Sequence, residues 1–93
     1  MKIYSIYDTA AEVYGRPFIQ LAHGEALRTF GRLVNDPSTE FHVKPSDFTL
    51  FYLGEYDDKT GQIDQHAPQS LGTGHEYVEE KHANPPLTDG SSL

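Results

Sequence analysis

Five histidines, His23, His42, His66, His75 and His82, are the first residues that could do chemistry. No two have the i, i+4 helical spacing of a zinc pair, and no carboxylate pattern completes a ligand set, so no metal is expected. His23 precedes the main predicted helix, where a neutral imidazole would accept a bond from a helix amide and act as a cap. Glu55, Asp57, Asp58 and Asp64 crowd together, but Asp57-Asp58-Lys59-Thr60-Gly61-Gln62 lacks the alternating acids and the distal Glu of a calcium loop. A hairpin turn accounts for that run. Ser5, Ser38, Ser46 and Ser70 have no nucleophile motif around them. Gly72-Thr73-Gly74 lacks the following glycine, lysine and helix of a phosphate loop. Cysteine is absent, which excludes disulfides and thiolate chemistry. A non-enzymatic protein without a cofactor is the expectation.

Cations interleaved with aromatics are the remaining candidates. Tyr4, Tyr7, Tyr14, Phe18, Phe48, Phe51, Tyr52 and Tyr56 are many rings for a small fold. A sheet face carrying some of them, flanked by cations, would stack the bases of single-stranded nucleic acid. The candidate site is Lys2, Arg16, Arg28 and Arg32 on phosphate, with Tyr4 or Tyr52 stacking. Against it stands the plainer reading that the rings are core material or a dimer surface, because aliphatic residues are scarce.

The charge is informative once divided. Residues 1–35 set Lys2, Arg16, Arg28 and Arg32 against Asp8, Glu12 and Glu25, a net of +1. Residues 36–66 net −5 and residues 67–93 net −3, giving −7 for the chain. A chain this acidic is a poor non-specific binder of polyanions, so any basic face lies in the first third.

The elements that must position these residues follow from periodicity. Lys2–Tyr7 is apolar or aromatic on both faces, which predicts an inner strand. Asp8-Thr9-Ala10-Ala11 reads as a turn. Residues 16–22 form a second, shorter extended segment. Ala26, Leu27, Phe30, Leu33 and Val34 form one helical stripe within 24–35, and Arg28 and Arg32 share the wet face. Gly31 marks either close packing or a weak point in that helix. Pro37 stops the helix. Residues 38–47 read as a loop, and 48–56 alternate as the clearest strand. A turn at Asp57–Gly61 leads into a short return strand, Gln62–Gln65. From Ala67 the composition turns polar, and residues 79–93 are expected to form a disordered tail.

The 93 residues then make one domain over 1–78, of strand-strand-helix-strand-strand order. This predicts an α+β fold: a mostly antiparallel sheet of about four strands with one helix on one face. One helix covers one face only, so the other needs the tail, a second copy or a ligand. There is no apolar run near 18 residues and no apolar signal core at Met1-Lys2-Ile3-Tyr4, so neither membrane insertion nor export is expected.

Several segments carry a family resemblance. They are Met1-Lys2-Ile3-Tyr4-Ser5-Ile6-Tyr7-Asp8, Arg16-Pro17-Phe18, Gly24-Glu25-Ala26-Leu27-Arg28-Thr29-Phe30 and Leu33-Val34-Asn35-Asp36-Pro37. The most specific is Phe48-Thr49-Leu50-Phe51-Tyr52-Leu53-Gly54-Glu55-Tyr56-Asp57-Asp58, followed by Thr60-Gly61. Together they resemble the small non-structural protein of gokushoviruses, the single-stranded DNA phages of the Microviridae, over residues 1–72. The resemblance implies an accessory phage protein, absent from the capsid and acting in host cytoplasm. It further implies a part in viral single-stranded DNA replication or packaging, by DNA binding or through phage replication or assembly proteins. The alternative is a protein–protein adaptor, homodimeric or engaging a host or phage partner, without DNA affinity. The resemblance brings no binding residues with it.

Overall fold

The computed structural model describes residues 1–79. The sheet is built around an inner strand. β1 (Lys2–Asp8) pairs antiparallel along one edge with β4 (Phe48–Asp57) and along the other with two short strands, β2 (Val13–Tyr14) and β3 (Phe18–Gln20). β5 (Gln62–Thr73) pairs with β4 and forms the far edge. Five antiparallel strands thus stand where the sequence predicts about four: β3 falls within the expected segment 16–22, and β2, just before it, is unexpected. Pro17 in the intervening Gly15-Arg16-Pro17 link has no amide to give a ladder.

α1 (His23–Val34) lies on one face of the sheet. Its stripe supplies Ala26, Phe30 and Val34, which close on Tyr4, Ile6, Phe48 and Leu50 to form the core. Glu25 accepts a bond from the Leu21 amide at 3.2 Å, tying down the chain just before the helix. Gly31 does not mark close packing: a Cβ there would make only an ordinary contact with the Cβ of Tyr77, at 4.0 Å. Asn35 clasps the helix end: its amide donates to the carbonyls of Gly31 (2.7 Å) and Tyr77 (2.9 Å) and its oxygen accepts from the Glu79 amide (2.8 Å). The expected tail beyond that point lies outside the described residues.

The turns form as their residues dictate. Asp8 Oδ1 accepts from the amides of Ala10 and Ala11 at 3.0 and 3.2 Å. In the β4–β5 turn Asp57 accepts from the Lys59 amide at 2.9 Å, and Gly61 takes φ +76°, a region open to glycine. Three features depart from the sequence reading. The predicted loop 38–47 contains a single helical turn, α2 (Glu40–Val43), followed by a 3-10 turn at Pro45–Asp47. A further 3-10 turn at Gly74–Tyr77 returns the chain to α1. β5 runs to Thr73 and not Gln65, through Ala67 and Pro68. It can do so because it is an edge strand with bulges. Four residues of β5 step from Gln69 to Gln65 against two of β4, which lets Pro68 sit without a ladder bond.

Register and alternation sort the strand residues between the faces. Tyr4, Ile6, Phe48, Leu50 and Tyr52 turn toward α1. Ile3, Ser5 and Tyr7 of β1, paired with Ile19, Phe51 and Tyr14 of their neighbours, turn away from it. On this second face Tyr7, Tyr14 and Phe51 pack ring to ring, with centroids 4.7–6.2 Å apart. Ser5 lies among them, 1% exposed, its hydroxyl donating to the Gly15 carbonyl at 2.7 Å.

Candidate nucleic-acid interface and an apolar groove

The six candidate residues fall into two groups. Lys2, Tyr4 and Tyr52 meet on the helix-bearing face near the start of α1. Tyr4 is fully buried, and its hydroxyl donates to His23 Nδ1 at 2.6 Å when the imidazole is neutral with that nitrogen unprotonated. Its ring is packed by Phe18, His23 and Tyr52, each with centroids at 5.7 Å. A base cannot reach it, so Tyr4 is a core residue and not a stacking platform. Burial is also what raises the Tyr4 phenol above its ordinary pKa. His23 is likewise not the cap expected of it. Ala22 holds the cap position without a side-chain bond, and His23 serves Tyr4 instead.

Tyr52 is half-buried, flanked by His23 at 4.7 Å and by His66 at 4.4 Å. Its hydroxyl donates to Glu55, which also pairs with Lys2 at 2.9 Å. The Lys2 ammonium stands 5.5 Å from the Tyr52 ring centre. The Tyr52 hydroxyl first, and Lys2 second, hold the Glu55 carboxyl below its usual value of 4.5. The same bond raises the Tyr52 phenol, and Glu55 raises the Lys2 ammonium. Lys2 is therefore ion-paired with Glu55 at a partly exposed site.

A pH dependence follows from Glu55. Its folded pKa is depressed, so its contribution is complete above pH 4.5 and is lost as pH falls through the lower folded value. Glu55→Gln should flatten the acid limb of stability, read as the urea midpoint between about pH 5 and pH 2. Parallel acid limbs for variant and wild type would remove Glu55 from this account.

Arg16, Arg28 and Arg32 form the second group. All three are exposed, and none makes an ion pair among the described residues. Arg28 and Arg32 stand one turn apart on the outer face of α1. Arg16 belongs to the β2–β3 link and lines a groove of about 540 Å³ between α1, α2 and that sheet edge. The volume is that of an ordinary ligand site, roughly 300–1,000 Å³. Phe18, Phe41, Phe48, Leu33, Ile6 and Val13 make its apolar wall, and Asp8, Arg16 and Glu40 its charged lip. Phe41 and Phe48 pack edge to face at 4.7 Å. Gln20 donates to Thr29 at 3.4 Å on the helix side. The sequence reading missed Phe41, which stood in a supposed loop. A lone Phe two residues from Val43 amid polar neighbours was its only signal. Among the described residues no three metal-ligating side chains converge.

One helix on an open antiparallel sheet, with an aromatic groove at the sheet edge, defines a small two-layer α+β protein. The chain matches the Phage ORF5 protein family over residues 1–77 and belongs to it; it is a bacteriophage protein. No curated protein and no solved structure matches it.

Proposed function

We propose that this is a phage accessory protein of the Microviridae type that acts in viral single-stranded DNA replication or packaging by binding single-stranded DNA. The supporting observation is the groove: three phenylalanine rings beside an arginine that makes no ion pair among the described residues. An unstacked base fits against the half-buried rings of Phe18 and Phe41, with Arg16 on the adjoining phosphate and Arg28 and Arg32 extending the phosphate track along α1. Stacking of this kind contributes about 1–3 kcal/mol per base. The phosphate contacts must work against a net charge of −7, so affinity should fall steeply with salt.

Fluorescence anisotropy of labelled single-stranded DNA tests the reading at low and at physiological salt. Salt-dependent binding is expected for the wild type. Arg28→Glu with Arg32→Glu, or Arg16→Glu alone, should weaken it about tenfold or more while the circular dichroism spectrum stays unchanged. No binding at low salt overturns the proposal; binding unaffected by all three changes overturns the site.

The lip of the groove favours a second reading. Asp8 and Glu40 sit beside Arg16, and an acidic lip over an apolar floor suits a peptide with an apolar anchor and a basic neighbour. In that case the protein is an adaptor for a host or phage protein, without DNA affinity.

A further inference from the structure

The five strands carry five charged residues, Lys2, Asp8, Glu55, Asp57 and Asp64. Register and alternation place every one of them on the helix-bearing face. The opposite face has none. It presents Ile3, Tyr7, Tyr14, Ile19, Phe51 and Ile63, of which Tyr14 is 41%, Ile19 47% and Ile63 63% exposed. The elements packed on the sheet lie on its other side.

We infer that this uncharged sheet face is the contact between two copies of the chain, which pack sheet to sheet as a homodimer with a helix on each outer side. Charge selects the occupant. Each copy carries −7, so two copies repel wherever acidic surfaces meet. This face is where they approach with no like charges opposed across the contact. Nucleic acid is disfavoured there because no strand cation faces it.

Size agrees. Ten residues of β4 at about 3.3 Å each run roughly 33 Å, and four strands abreast at about 4.8 Å span roughly 19 Å. The footprint is roughly 600 Å² per copy, near the ~800 Å² per partner of a standard stable interface. Two such faces pack about 10 Å apart with side chains interdigitated. The Tyr7–Tyr14–Phe51 cluster supplies the aromatic centre that such interfaces favour.

Sedimentation equilibrium of the full chain over about 1–100 µM, the upper range of dissociation constants for interfaces of this size, tests the proposal. The wild type is expected at twice the monomer mass. Ile19→Glu with Ile63→Glu adds charge at two exposed sites on opposite edges of the face. It should halve the mass with the circular dichroism spectrum unchanged. Leu21→Glu, 67% exposed and outside the strands, should leave the dimer intact. If the double variant loses its folded spectrum, Ile19→Ser with Ile63→Ser replaces it, with a weaker dimer as the expected result. A wild type that is monomeric throughout overturns the proposal. So does a dimer that survives folded charge insertion, since that contact must lie elsewhere.

Discussion

Phe30→Ala should lower the free energy of unfolding by about 3–5 kcal/mol, the usual cost of emptying a buried aromatic site. Phe30 is fully buried at the middle of the α1 stripe, and Tyr77 meets its ring edge-on at 5.7 Å. Its removal loosens the helix from the sheet and the returning 3-10 turn from the helix at once. A folded unit of this size has roughly 4–12 kcal/mol in all, at about 0.05–0.15 kcal/mol per residue. The variant should therefore sit near the edge of stability at 25 °C. Urea unfolding followed by circular dichroism measures this. The midpoint should fall sharply while the slope holds, because the same surface is exposed on unfolding. A loss below about 1 kcal/mol would mean that the core closes over the gap, contrary to the packing described.

Gly54→Ala is the second large effect, and its cause is the reverse: an atom added where there is no room. Gly54 is buried in β4 between Ile3 and Gln65. A Cβ there would run into the Asp64 carbonyl oxygen, with the Asp64 carbon and Gln65 Cα at 3.2 Å. All three are backbone atoms, so no rotamer change relieves the clash and the β4–β5 ladder must part. A loss of about 1–3 kcal/mol or more is expected. Amide exchange should speed up along Gln62–Gln65 before the core opens. Gly24→Ala is the control. It puts the same atom in open space within α1, where Ala gains up to about 1 kcal/mol over Gly. If both changes leave stability alike, crowding at Gly54 is not the cause.

Much of the fold was legible because the relevant signals are local. The two-sided apolar pattern of β1 marked a central strand, and Ala26, Phe30 and Val34 named the helix face that is buried. The Asp57–Gly61 turn fixed the hairpin. What escaped notice depends on neighbours distant in the chain. Ala67, Pro68, Gln69 and Ser70 have little preference for strands, and only pairing with β4 holds them in one. Tyr4 looked like an available ring until His23 and Phe18 closed over it. Arg28 and Arg32 were placed correctly on the wet side of α1. The groove beside Arg16 required α2, and the sequence of that segment is too short and mixed to announce a helix. The uncharged face could not be assembled without the register of five strands, since its residues come from every one of them.

The place of β1 in the sheet has a consequence for how the protein is made. The inner strand leaves the ribosome before the other strands of its sheet, yet its long partner begins only at Phe48, forty positions after Asp8. At roughly 5–20 residues per second, a nascent chain carries an unsatisfied β1 for some seconds. In that interval only the short β2 and β3 can shield it, one edge remains bare, and neighbouring chains on a polysome expose the same bare edge. Synthesis rate over residues 20–57, rather than final stability, should then govern how much of the protein is recovered in soluble form.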